Sequence, residues 1–319
     1  MAQGEDLERE PRISVVIAVQ RAQANLPAIL SALERVGASD LEAVICHAAD
    51  DPVDRTALAR PYVRFVEGNA DALIPELWSD GILAANGRTI AILTAHCVPQ
   101  DDWIAQALNL DMDKRAGYGG VITLESDADA VCAAIHLLRY SAVTPPQEAR
   151  ELHEIAADNA VYRREDILAC DDLLPEGFWE PSFHARFRAK GDTLAMAPAL
   201  VVAHRNLCSP GAFMKQRLRH GRNFGRTRGV AAALPKRLAM FVLSPLGFVV
   251  FGAKLTGGVM KSPALKRHYW RSLPWLATFL ASWSLGEALG YWDSLFAHSG
   301  ATRETGVAYQ DDQRTGSRQ

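Results

Sequence analysis

The sequence predicts a mixed α/β protein: a sheet built from parallel βαβ units, then a basic helical segment, then two apolar helices. Three observations carry that expectation. Strand-length β-branched runs alternate with helix patterns between Ile13 and Thr94. Residues 193–286 contain no Asp or Glu but fourteen Lys and Arg. Within and just after that basic region lie two long, charge-poor stretches, 238–253 and 273–292.

Ile13–Val19 (ISVVIAV) has the composition of a buried strand. A polar turn and a helix pattern over 25–36 follow, with Asn25 as the expected N-cap and Pro27 in the first turn. Residues 42–47 (EAVICH) form a second strand, which ends in the polar loop AADDPVD, and 62–66 form a third. Residues 71–85 read as a helix stopped at Gly87, and Thr89–Thr94 is a fourth strand. Strands and helices alternating at this spacing indicate a parallel sheet, whose ligands gather at the carboxyl ends of the strands. Beyond Gly119-Gly120 the pattern is less regular. It suggests strands at 160–162 and 194–203 and helices at 164–170 and 183–190.

A chain of 319 residues with 49% hydrophobic content can bury a large core. Its five cysteines, Cys46, Cys97, Cys132, Cys170 and Cys208, are scattered and show no CxxC or zinc spacing. Reduced thiols in a cytoplasmic setting are therefore expected. The opening MAQGEDLEREP is acidic, and the apolar run after it is only strand length, so no export signal is expected. Charge is sharply divided: 32 acids against 17 bases precede Thr193, whereas 193–286 carries +14. Such asymmetry points to a polyanionic surface as partner, either nucleic acid or anionic lipid. The neighbouring apolar runs favour lipid over nucleic acid.

Several segments, taken in order, resemble the family-2 inverting glycosyltransferases of the GT-A fold. ISVVIAVQRAQANLPAILSAL resembles that family's opening strand and helix, and LWSDGILAANGRTIAILTAHCVPQDDW its helix, strand and metal-motif region. ADNAVYRRED resembles the segment bordering the acceptor site, and GFWEPSFHARFRAKGDTL the helix that carries the catalytic carboxylate. The resemblance spans about 13–228 and implies a GT-A-like nucleotide-binding sheet, a nucleotide-sugar donor and, in membrane-bound members, a lipid-linked or polymeric acceptor. It implies donor contacts from Val19, His47, Asp50, Asp51, Asp80, Thr94, Ala95 and His96. Acceptor or phosphate contacts are implied for Asn159, Trp179, His184, Arg219 and Arg222.

Two departures bear on chemistry. Where the family places an Asp-x-Asp motif for Mg²⁺ or Mn²⁺, this sequence reads Thr94-Ala95-His96. Imidazole suits Mn²⁺ better than Mg²⁺. His96 is therefore a candidate ligand for a divalent metal, a direct donor to the diphosphate, or a loop histidine satisfied by its neighbours. His47 stands where the family has an Asp that accepts from the base, and a neutral imidazole can accept the same bond. Asp50 and Asp51 either contact base or ribose or form an ordinary solvated turn.

Glu180 aligns with the general base, the group that takes the proton from the attacking acceptor hydroxyl. The alternative is a helix-start glutamate favoured by the dipole. Trp179 offers a sugar-stacking face and a means of excluding water from Glu180. His184, four residues on, shares a helix face with Glu180, to orient it, touch the acceptor or make a structural contact. Arg219, Arg222, Arg226 and Arg228, with His220, form a basic run interrupted by Gly221 and Gly225 as joints. Arginine forks in such a run suit phosphate.

The stretch 238–253 is short of the roughly 20 residues that span a bilayer. The stretch 273–292 holds Glu287, placed toward the end of its expected helix. Lys254, Lys261, Lys266, Arg267 and Arg271 make the connector basic. A span would put this connector and the equally basic segment before it on opposite sides, against the positive-inside tendency. Two re-entrant or in-plane helices at the cytoplasmic leaflet fit better, anchored by Trp270, Trp275, Trp283 and Trp292. The alternative is a buried helical hairpin. The expected organisation is a tail (1–12), a glycosyltransferase domain (13–208), a basic segment (209–237), an apolar hairpin (238–293) and a disordered tail (294–319). The function implied is inverting sugar transfer at the cytoplasmic membrane face. The competing reading is an inactive binding module in envelope polysaccharide assembly.

Overall fold

A computed structural model describes residues 10–35, 40–207, 209–260 and 262–296. Cys208, Lys261, Val36 and most of both expected tails lie outside these residues. The chain forms two compact units. The first comprises Met1–Thr123 with Val143–Arg205, and the second Leu124–Ala142 with Asn206–Gln319. The second unit thus begins three residues before the expected boundary at 208–209 and also recruits a helix from the middle of the chain.

In the first unit, β1 (Ile13–Val19), β2 (Leu41–Ala48), β3 (Val63–Gly68) and β4 (Thr89–Thr94) pair in parallel in the order β3-β2-β1-β4. β1 is buried along its whole length, as its uninterrupted apolar run requires. Beyond β4, β8 (Asn159–Arg163) pairs antiparallel with β4 and with β6 (Gly117–Leu124), β9 (Leu194–His204) lies next to β6, and β5 (Cys97–Pro99) and β7 (Glu151–Leu152) pair antiparallel with β9. The chain leaves β1 in one direction to β2 and β3, then returns to its other side at β4. That reversal makes the carboxyl ends of β1 and β4 the switch point at which sheets of this kind bind ligands.

Helices α1 (Leu26–Leu33), α2 (Arg55–Leu58), α3 (Ile74–Ala84), α4 (Trp103–Leu108), α6 (Arg164–Leu168) and α7 (Glu180–Ala189) belong to this unit, and α5 (Ala130–Tyr140) to the second. Two helix starts differ from expectation. Asn25 stands at the N-cap of α1 but makes no cap bond. Its buried amide donates to the carbonyls of Ala95 (2.9 Å) and Arg205 (3.1 Å). α3 begins three residues later than the pattern suggested, because Pro75 fixes its first turn and Glu76 accepts from the Leu73 N–H at 2.6 Å. Gly87 lies past the end of α3, at Ala84, and a side chain there would collide with the Ser14 backbone.

The second unit packs α5 with α8 (Pro210–Val230), α9 (Leu234–Val259) and α10 (Pro263–Leu295). Ile135, Leu137, Phe213, Leu276 and Phe279 form its core, with the Phe213 and Phe279 rings edge to face at 4.8 Å. The glycines expected as joints are not breaks: α8 is one continuous helix. Gly221, Gly225 and Gly229 face α10, while Gly286 and Gly290 face α8, and any Cβ at these positions would strike the neighbouring helix. Small residues at four-residue spacing bring the two backbones into direct contact.

Glu287 does not lie near a helix end, as the sequence suggested, but eight residues inside α10. It is 7% exposed and accepts from Tyr291 Oη at 2.9 Å, and burial raises its pKa. Among the described residues only α9 is long and apolar enough to cross a membrane, not both stretches. Packing against α8 explains the difference, since it requires polar and small residues within 273–292. Arg237 caps two helices at once, donating to Val230 (3.0 Å) and Ala232 (2.7 Å) after α8 and to Ser294 (2.6 Å) in α10.

Burial pushes two histidines of this unit far down, His136 to about 3 and His220 to about 4, helped by His268 and by Arg217, Arg139 and Arg219 respectively. Above pH 6.5 both are neutral whether the chain is folded or not. Below it the unfolded chain takes up protons that the folded chain refuses, so stability falls from pH 6.5 toward pH 4. The thermal midpoint is expected to drop across that interval, and His136→Gln should flatten the drop. An unchanged pH profile in the variant would remove His136 as a cause.

Candidate functional site

Val19 pairs with His47 and Ala18 with Thr94, so the carboxyl ends of β1, β2 and β4 lie side by side. The loops leaving this edge are braced by the two aspartates of the β2 loop. Asp51 accepts from the Arg21 N–H at 2.6 Å and from the Gln23 amide, and Asp50 accepts from the Asp71 N–H at 3.0 Å. Arg21 (φ 56°) and Asp71 (φ 60°) are both left-handed, a conformation that costs a non-glycine residue about 1–2 kcal/mol. Asp50 and Asp51 thus brace two strained loops at this edge of the sheet, with Asp50 itself exposed.

His47 is enclosed at 1% exposure. The Arg55 guanidinium, which can only donate, lies 3.3 Å from Nε2, so Nδ1–H faces the Ala48 carbonyl at 3.0 Å. The lone pair expected to meet the nucleotide base is thus taken by Arg55, which also pairs with Glu67 at 3.0 Å. Asp80 on α3 lies close to Gly68 at the end of β3, and burial followed by the charge of Glu76 raises its pKa.

At the end of β4 the Thr94 hydroxyl donates to Asp158 at 3.0 Å, and Asp158 is 6% exposed. The next residue back, Ala157, donates its N–H to Glu180 at 3.3 Å. Leu93 pairs with Asn159 across β4 and β8, which brings residues 157–158 beside Thr94. Glu180 is thereby tied to the same sheet end as His96. Asp158 was not singled out from the sequence, and a lone Asp before a short strand gives no signal of this placement. It supplies a carboxylate from β8 where β4 lacks one.

The donor set does not fit a protein-built divalent-cation cage. His96 Nε2 contacts the Gln20 carbonyl at 3.1 Å, and Thr94 is bonded to Asp158. Among the described residues no three His, Cys, Asp or Glu side chains converge as metal ligands. Ala95 is buried, with its N–H on the Ala18 carbonyl at 2.9 Å.

Glu180 opens α7 after Gly177, whose φ of 102° and close approach to the Glu76 N–H admit only glycine. Trp179 donates Nε1–H to Glu176 at 2.9 Å. His184 does not reach toward an acceptor. It is fully buried, with Nε2 2.9 Å from Tyr162 Oη and Nδ1 against the Glu154 carboxylate, which Arg188 also holds at 3.1 Å. Burial lowers its pKa, with Glu154 opposing that shift. Asn159 is likewise enclosed. Its amide donates to Val121 and Leu200 (3.0 Å each) and it accepts from Trp103 Nε1 at 2.8 Å, so it ties strands together rather than facing a ligand.

In the second unit, Arg222 forks onto Asp293 at 2.6 and 3.1 Å, while Arg219 is exposed. Arg217, not noticed in the sequence, stacks on Trp283 with its guanidinium carbon 4.2 Å from the ring centroid. Cys46, Cys97, Cys132 and Cys170 are buried and form no disulfide among the described residues.

No protein-family model matches the chain, and no curated protein is significantly similar to it in sequence. Among solved structures, it is similar to the mannosyltransferase PcManGT from Pyrobaculum calidifontis in complex with GDP-mannose and Mn²⁺. The identity is 14%, the TM-score 0.50, and the match covers 87% of each chain. At that identity the likeness is one of architecture, and the chain has a glycosyltransferase fold.

Proposed function

We propose that this protein transfers a sugar from a nucleotide-sugar donor to a lipid-linked or polysaccharide acceptor at the cytoplasmic face of a membrane, with inversion. The observation that carries the reading is the position of Glu180, tied through Ala157 and Asp158 to the carboxyl end of β4. The acceptor hydroxyl oxygen attacks the anomeric carbon while Glu180 takes its proton. The bond from that carbon to the diphosphate breaks on the opposite face, and the nucleoside diphosphate leaves. A single in-line displacement of this kind inverts the centre. The solved mannosyltransferase holds GDP-mannose, which supports a nucleoside-diphosphate sugar as donor class.

An inactive module of the same fold, serving as a binding partner in an envelope assembly, is the second reading. The observation favouring it is the Thr94-Ala95-His96 sequence with its hydroxyl and imidazole already bonded within the protein.

Isothermal titration of the full chain with GDP- and UDP-sugars, with Mn²⁺ or with EDTA, tests the donor. One of these sugars is expected to bind, and His96→Ala to weaken it. Loss of a Mn²⁺ effect in the variant assigns His96 to the metal. Weakening that ignores EDTA assigns it to the diphosphate. A chain that binds no nucleotide sugar under any condition would overturn the proposal.

A further inference from the structure

The second unit presents one face that is apolar from end to end and closed by lysines. On α9 the inward positions recur at helical spacing, at Arg237, Ser244 and Val259, with half-buried Phe241, Phe248 and Leu255 between them. Every outward position between Leu238 and Ala253 is apolar, including Val242 (69% exposed), Leu246 (56%) and Val249 (61%). Lys236 and Lys254 end the band on the same exposed side, about 27 Å apart at 1.5 Å per residue. α10 continues the surface with exposed Leu273, Leu285, Leu289 and Trp292, bordered at its start by Lys266, Arg267 and Arg271. Exposed apolar surface on this scale, framed by cations, matches an anionic lipid surface.

The neighbouring helix decides how that surface meets lipid. Along α10, Phe279 faces Phe213 of α8, Trp283 faces Gly221, Glu287 faces Gly225 and Ser294 faces Gly229. On its other flank, Leu280 faces Gly252 of α9, Glu287 faces Gly247, Trp292 faces Phe241 and Ser294 meets Arg237. The apolar band of α9 and the basic stretch 215–228 of α8 therefore occupy the same levels of one bundle. A spanning α9 would carry the exposed Lys215, Arg219, Arg222 and Arg226 into hydrocarbon, where each is strongly unfavourable. A bundle lying flat puts α9 into the interface and leaves these bases in water.

We infer that the second unit docks in the plane of an anionic bilayer through the outward faces of α9 and α10, although α9 is long enough to span. The inference gives the proposed membrane acceptor its location, but it is tested without any sugar transfer. Loss of vesicle binding therefore leaves the donor reading standing, and loss of donor binding leaves this one standing.

The test is flotation of the full chain with phosphatidylcholine vesicles containing phosphatidylglycerol, followed by depth measurement. Binding is expected, and Val242→Glu with Val249→Glu should weaken it more than about 10-fold without lowering the thermal midpoint. Spin labels at Val242→Cys, Leu246→Cys, Val249→Cys and Arg226→Cys, in a Cys208→Ser background, report depth. The flat arrangement predicts similar shallow depths at 242, 246 and 249, with 226 in water. A depth profile peaking at mid-helix, with 226 buried, would mean a span and overturn the inference. A stable dimer that ignores vesicles would overturn it as well, assigning the face to a second copy of this chain.

Discussion

Glu180→Gln is expected to lower turnover by roughly 10²–10⁴-fold, the usual contribution of a general base, while donor affinity stays within a few-fold. The substitution keeps size and leaves an oxygen to accept the Ala157 N–H, so the local geometry is preserved. What it removes is the capacity to take a proton from the acceptor hydroxyl at neutral pH. Turnover is read as nucleoside diphosphate released from the donor that titration identifies, with membrane extract as the source of acceptor. A variant as fast as wild type excludes Glu180 as the base. A wild type that binds donor but never turns it over moves the weight to the inactive module.

Gly225→Ala is expected to destabilise the second unit by about 3 kcal/mol, at the upper end of ordinary overpacking. Glycine-to-alanine changes inside helices usually stabilise, by roughly 0.5–1 kcal/mol, because they restrict the unfolded chain. Here the new methyl would fall against the Glu287 carbonyl and the Tyr291 N–H, which are backbone atoms and cannot rotate away. α8 and α10 would have to separate, and Gly221 and Gly290 would lose their close contacts with them. Gly257→Ala is the internal control. It lies in α9 with nothing within 4 Å of the added atom, and it should leave stability equal or slightly higher. Chemical denaturation of both variants reads the contrast. Equal midpoints would mean that the two backbones do not touch.

The first half of the sheet was legible because period and composition fixed it locally. β1 and β4 fall on the residues their apolar runs mark, and β2 and β3 differ from expectation by two residues at most at either end. Glu180 was singled out by its place in a segment resembling a known catalytic helix, and its role as base is what Glu180→Gln tests. The surroundings of several polar side chains were not legible, for one cause. Asn25 and Asn159 carry polar groups that the sequence offered to a cap or a ligand, and His184 one offered to an acceptor or to a structural contact. Each is spent on partners 22 or more positions away in the chain. Such pairings have no local signature. Asp158 and Arg55 were missed for the same reason, since their meaning comes from the strands they meet.

The sequence by itself determined the parallel direction of the early strands, the division of charge and the presence of apolar helices, although it marked as too short the stretch 238–253 that lies in the 26-residue α9. All three rest on interactions that are short-range along the chain or on bulk composition. Only the tertiary structure decided how the glycines, the arginines and Glu287 are used. Gly221 and Gly225 became contact points because α10 lies against α8, and Arg222 found its acid at Asp293, 71 residues on. Tertiary packing also set the arginines of α8 level with the apolar band of α9. A one-dimensional reading of hydropathy treats each helix alone, but the energy of placing it in lipid depends on what its neighbours bring along.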